Sequence, residues 1–181
     1  MQNHSMKTRE VPLTRGYVAI VDADDYEKVA AFSWQAKIDR SKHDGSIIRV
    51  YAHGRVGQYA NGKPMMAKMH RVILGLTDSR IDCDHKNHDG LDNRRENLRV
   101  CTRSQNNHNR RPKRWKFKGV SPTYGGKRWR ATIRANGKQM HLGAFRTIEE
   151  AAAAYDKAAL RYFGEFAQTN GFYKKKGDRD E

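Results

Sequence analysis

Apolar and polar residues alternate strictly over residues 128–134 (RWRATIR). Arg128, Arg130, Thr132 and Arg134 fall on one side, and Trp129, Ala131 and Ile133 on the other. A period of two marks a strand with one buried face. Asn136-Gly137 follows, a pair that favours a tight hairpin turn. Residues 139–142 resume the alternation, with Gln139 and His141 continuing the polar face and Met140 and Leu142 the apolar one. The period then becomes helical. Ala151, Ala154, Tyr155, Ala158, Ala159 and Tyr162 recur at helix spacing after the capping-box pattern Thr147-x-x-Glu150, and the run halts at Gly164. So many alanines predict a helix lying close on a sheet.

Nearer the start, residues 16–22 (GYVAIVD) and 47–56 (IIRVYAHGRV) read as strands, with turns at 42–46 (KHDGS) and 61–63 (NGK). DADDYEKVAAFSW predicts a short helical turn leading to Trp34, and residues 64–74 an extended run that turns helical at its end. Residues 81–85 form a short strand, 86–95 a polar loop and 97–101 a second strand. A helix starts at about Arg103, signalled by Thr102-x-x-Gln105 and limited by Pro112. The predicted class is α+β, in small modules: a β-rich part over 1–68, a strand–loop–strand–helix core over 69–110, a basic linker over 111–116, a sheet-and-helix module over 117–173 and a tail over 174–181.

Charge changes this picture more than length does. The 181 residues hold 36 Lys or Arg against 20 acids, a formal +16. A field of that sign selects a polyanion. It is concentrated: between Arg94 and Lys138 there are 15 basic residues and one acid, Glu96. Arg110, Arg111, Lys113 and Arg114 open a stretch (RRPKRWKFK) suited to phosphate contacts. No apolar run is long enough to span a bilayer and no signal peptide opens the chain, so the expected setting is cytoplasmic, in a bacterial or phage-infected host cell. The expected partner is double-stranded DNA, with neither a membrane nor an obligate protein partner. Two cysteines, Cys83 and Cys101, make no disulfide framework, and their spacings fit no common zinc site, so both read as reduced strand residues.

The chemistry gathers in DCDHKNHDGLDNRRENLRVCTRSQNNHNR, residues 82–110. Phosphodiester hydrolysis needs a base for water, charge neutralisation at the leaving oxygen and a phosphate held in line. Neutral His supplies the base. Asp and Asn oxygens suit a hard divalent ion.

Asp84-His85, then DNRRENLR, then TRSQNNHN resembles the HNH (ββα-metal) nuclease motif of phage and intron-encoded homing endonucleases. The resemblance implies a ββα-metal core in which His85 is the general base. Asn97 would fix the hairpin and orient that base, while Asp84 and Asn106 would hold one Mg²⁺ or Mn²⁺. His108 stands beside Asn106 as a backup ligand or phosphate contact, and His70-Arg71 is typical of the stretch leading into such a motif. One site cuts one strand, so a double-strand break would need a dimer or a second encounter. Residues 117–172 resemble the APETALA2/ethylene-response-factor DNA-binding domain: the opening aromatic-basic-Gly-Val, the strand ending Ile-Arg, LGxF, and EEAAxAYDxAAL. This second likeness implies a three-stranded antiparallel sheet packed on one helix, with Arg128, Arg130, Thr132, Arg134, Gln139 and His141 facing the major groove. Ser121, Thr123, Gly125, Thr132 and His141 depart from the family's contact residues, so its GC-rich preference does not carry over. Lys118, Lys127 and Lys138 are expected on phosphates. The two resemblances together predict a site-preferring DNA endonuclease. The rivals are a sequence-specific DNA-binding regulator with an inactive core, and a nuclease selective for branched nucleic acid or RNA.

Overall fold

The strand predicted at 16–22 forms as β2, Val18–Asp22. It pairs antiparallel with β1, Thr8–Pro12, whose polar sequence gave no strand signal. Val11, Ala19 and Val21 are buried, as the alternation requires. The computed structural model describes residues 7–110 and 116–171. They fall into two units, Met1–Arg103 and Ser104–Glu181, and are mixed α+β, with four antiparallel sheets among them.

In the first unit, helix α1, Ala23–Ala30, begins after Asp22 with Asp24 and Asp25 in its first turn, where acids suit the helix dipole. It leads to Trp34, whose Nε1 donates to Val29 O at 2.8 Å. Strands β3 (Trp34–Arg40), β4 (Ile47–Gln58) and β5 (Pro64–Lys68) form a sheet in that order. Trp34, Ala36 and Ala52 turn into the core on one face. Helix α2, Met69–Ile73, follows β5 directly and buries Met69, His70 and Ile73. Strands β6 (Asp82–His85) and β7 (Leu98–Cys101) make an antiparallel hairpin with Asp84 opposite Arg99 and His85 opposite Leu98. Leu98 belongs to the same core as Val11, Val21, Met69 and Ile73.

Helix α3, Arg103–His108, starts at the predicted residue, and all of it but Arg103 belongs to the second unit. That unit continues with β8 (Val120–Pro122), β9 (Trp129–Ala135) and β10 (Lys138–Phe145), a three-stranded antiparallel sheet with β9 central. Helix α4, Ile148–Phe163, packs on it and opens with a complete Thr147–Glu150 capping box. Ala131, Ile133, Ala151, Tyr155 and Ala159 are buried between sheet and helix. The helix stripe differs in detail from the pattern read along the sequence. Tyr162 is 41% exposed, while Ala152 and Asp156 are fully buried; Asp156 earns its place by accepting the Asn170 backbone N–H at 2.6 Å. Gly119 has φ +73°, and a Cβ there would meet the Tyr155 ring at 2.0 Å. The expected phosphate contacts Arg111, Lys113 and Arg114 lie outside the described residues. Among the described residues no helix is long and apolar enough to cross a membrane.

Candidate functional site

Residues 86–97 form a loop too polar to pack by apolar burial, so hydrogen bonds hold it. Asn97, buried, bridges it: its Nδ2 donates to Asp92 O at 2.7 Å and its Oδ1 accepts the Asn87 N–H at 3.0 Å. Asp92 accepts Asn87 Nδ2 at 2.9 Å and two N–H groups of Arg94 at 2.8 Å each. The Arg94 guanidinium holds the Asp92 carboxyl below its usual range. The loop is also tied to the scaffold. Asn93 N donates to Ile20 O at 2.7 Å and Ile20 N to Leu91 O at 2.9 Å, adding a short parallel bridge to β2. Arg95 donates its backbone N–H to Asp22 at 2.8 Å and grips Asp25 through Nε and Nη2, both at 2.6 Å.

At the end of β6, His85 is 5% exposed. Its ring lies edge-on to His70 at 4.8 Å between centroids and 5.9 Å from Tyr51. Its Nε2 faces Asn93 Oδ1 at 3.4 Å. Asn93 donates its own Nδ2 to Leu91 O at 3.1 Å, which leaves Oδ1 turned to the ring. With Nε2 protonated, the neutral imidazole donates to that oxygen and carries its lone pair on Nδ1. Burial lowers the His85 pKa from its ordinary 6.5, against the raising effects of Asn93 and nearby carboxylates. Burial also drives His70 down to about 2, with His85, Lys68 and Arg71 adding to it. Both rings are neutral at pH 7.

Asp84 lies on the hairpin, and its Oδ2 accepts Arg99 Nε at 3.2 Å and Nη2 at 2.9 Å. Both side chains of this pair are about one-tenth exposed. Cys83 and Cys101 are free thiols, pushed up to about 11 by burial. Among the described residues no group of three or more His, Cys, Asp or Glu is placed to hold a metal. One carboxylate with amide oxygens suits a hard ion that keeps most of its waters. That ion would share Asp84 with Arg99.

Asn106 lies half-buried on α3, in the second unit. In the same unit, His108 stacks on Phe163 at 3.7 Å between centroids, and Lys118 Nζ donates to the carbonyls of His108 and Arg110. Desolvation and then Arg110 lower Lys118 to about 8. Lys118, for which a phosphate contact is expected, fastens the end of α3 through these two bonds. Arg110 is exposed. Arg128, Arg130, Arg134, Gln139 and His141 are exposed and Thr132 half-exposed. Register sets Gln139 opposite Arg134 and His141 opposite Thr132, on the sheet face turned away from the α4 core.

Asn93, Tyr51 and His70 shape the surroundings of His85 but carried no site role in the sequence. Asn93 is one amide in a stretch crowded with them. Tyr51 arrives from a strand 34 residues away in sequence, which no local pattern discloses.

No family model matches the chain. Over 99 residues it is 35% identical to an uncharacterized HNH endonuclease of Acanthamoeba polyphaga mimivirus, covering 55% of this chain and 52% of that protein. Over 57 residues it is 49% identical to the ethylene-responsive transcription factor WRI1 of Arabidopsis thaliana, 30% of this chain and 13% of the relative. Similarity to the AP2-like ethylene-responsive transcription factor ANT of the same plant is 45% over 56 residues, 30% of this chain and 10% of that one. The chain combines HNH-type and AP2-type sequence. It spans about half the length of the viral relative and a far smaller share of the plant ones. The residues whose spacing resembles the HNH motif lie on β6, β7, the loop between them and α3, and those resembling the AP2-type domain on β8–β10 and α4.

Proposed function

We propose that the chain is a metal-dependent DNA endonuclease of the HNH type, of homing character, whose AP2-type sheet reads a preferred site. The observation that carries this reading is the hairpin: Asp84 and His85 stand together at the end of β6, and Asn97 closes the loop behind them.

In this reading His85 takes a proton from the attacking water through Nδ1, while Asn93 holds the ring through Nε2. Arg99 holds Asp84 in place. Asp84 would be the ligand of one Mg²⁺ or Mn²⁺, with Asn106 the further ligand that the resemblance implies. Such an ion, when bound, supplies charge neutralisation at the phosphate and leaving oxygen. Arg128, Arg130, Thr132, Arg134, Gln139 and His141 would face the major groove, where Arg pairs with guanine and Gln with adenine. A single centre nicks one strand, and two chains or two encounters would cut both.

The test is relaxation of supercoiled plasmid with Mg²⁺ or Mn²⁺, wild type beside His85→Ala, with EDTA as control. The expected result is metal-dependent relaxation by wild type alone, with DNA affinity retained by the variant. Two observations favour a second reading, a DNA-binding regulator with an inactive core: Arg99 already engages Asp84, and His85 is nearly buried. Tight binding by wild type without cleavage of any plasmid would establish that reading instead.

A further inference from the structure

The β3–β4–β5 sheet buries one face and leaves the other without a layer over most of its area. Strand alternation and register place Gln35, Lys37 and Asp39 of β3, Arg49, Tyr51, His53 and Arg55 of β4, and Met66 and Lys68 of β5 on that second face. Trp34, Ala36 and Ala52 point the other way, into the core. The face carries four cations and one acid, Asp39, which lies opposite Arg49 in register. Among the described residues none of Lys37, Arg49, Arg55 and Lys68 forms an ion pair. Lys37, Arg49 and Arg55 are exposed and Lys68 half-exposed.

This face runs into the HNH-type centre. Tyr51 sits at its middle, with its ring against both His85 (5.9 Å) and His70 (6.0 Å). Gly90 brings the catalytic loop down onto the strand: a Cβ there would lie 2.3 Å from Val50 O and 2.5 Å from the Tyr51 ring. Lys68 Nζ stands over the same ring, 4.6 Å from its centroid, a cation–π contact that parks the ammonium beside the base. Lys37 lies diagonally across β4 from Lys68, opposite Tyr51 where Lys68 is opposite His53, at least two strand spacings or roughly 10 Å away, a little more than the Debye length of about 8 Å at physiological salt. The neighbouring groups register their charge. His53 is lowered first by burial and then by Lys37 and Lys68, and Lys68 also contributes to the lowering of His70 and acts on Cys83.

We propose that this open sheet face is a second DNA-binding surface, which seats the phosphate backbone of duplex DNA beside the scissile phosphate, with Lys68 and Lys37 as its anchors. Charge complementarity selects the occupant: the face is cationic, nearly free of acids, and continuous with a centre read as acting on a phosphodiester. It rests on the endonuclease reading for its orientation, but not for its binding.

The test therefore measures binding, on the full chain, in EDTA. A fluorescent duplex of arbitrary sequence is titrated at a series of salt concentrations. Lys37→Gln/Lys68→Gln is compared with wild type and with Lys7→Gln/Lys157→Gln, which removes the same charge from exposed positions outside that sheet. Each lost phosphate contact lowers the slope of log affinity against log salt by about 0.9. The expected result is a slope smaller by about 2 for the Lys37/Lys68 pair, with the control close to wild type. A slope for the Lys37/Lys68 pair no smaller than the control's would overturn the proposal. So would a change seen on duplex RNA but not on DNA. Lys37→Glu, at an exposed strand position, repeats the test without touching the Tyr51 contact. Failure of plasmid cleavage alone would sink the endonuclease reading and leave this surface standing; an unchanged slope in a cleaving enzyme would do the reverse.

Discussion

Asn97 shows how much one amide holds in a loop without an apolar core. Asn97→Ala leaves the Asn87 N–H and the Asp92 carbonyl without their partner, at a cost of about 2 kcal/mol. Urea denaturation followed at Trp34 should register that loss. His70 supplies a pH dependence. Its folded pKa, about 2, lies below the ordinary 6.5, so above pH 6.5 neither folded nor unfolded chain is protonated there. As pH falls below 6.5 the unfolded chain takes up a proton that the buried ring refuses, and stability is lost by up to about 1.4 kcal/mol per pH unit. Denaturation at pH 7 and pH 5 should show this loss, and His70→Phe, which keeps a ring but cannot titrate, should lessen it. At this scale the sequence disclosed the hairpin residues Asp84, His85 and Asn97 because their spacing is local. It did not disclose Asn93 or Tyr51, whose relation to His85 depends on a loop folding back and on a distant strand.

Gly119 governs how closely α4 can lie on its sheet. Gly119→Ala would combine a positive φ with a clash against Tyr155 and the Thr132 carbonyl, and should destabilise by about 2–3 kcal/mol. The near-ultraviolet signal of the second unit, followed through thermal melting, measures it. Elements with a clear period were legible: β9, β10 and α4 form where alternation and the alanine stripe put them, and β2 and β4 differ from expectation only at their ends. β1 was not legible, because Thr-Arg-Glu-Val-Pro has little strand propensity of its own and is held by pairing with β2. β3 was hidden likewise, and no element was assigned to the residues between Trp34 and the turn at 42–46. Tertiary pairing overrides weak propensity in both cases.

For the whole molecule, the formal +16 predicts that affinity for duplex DNA falls about a thousandfold or more between 50 and 200 mM salt if six or more phosphates are engaged. Anisotropy titration tests this, and a shallow dependence would mean that few of the cations meet phosphate. The overall charge and the two likenesses in sequence were readable from the chain alone. The grouping of the β6–β7 hairpin with the amino-terminal strands was not, since it depends on Asp22, Asp25 and Ile20 meeting residues some 70 positions later. That grouping bears on protein engineering. A chimera that borrows the hairpin from residue 69 onward would leave Arg95 without its acids and Asn93 without its strand. The portable cassette begins with β1, and a designer who wants to move the hairpin must transplant its scaffold with it.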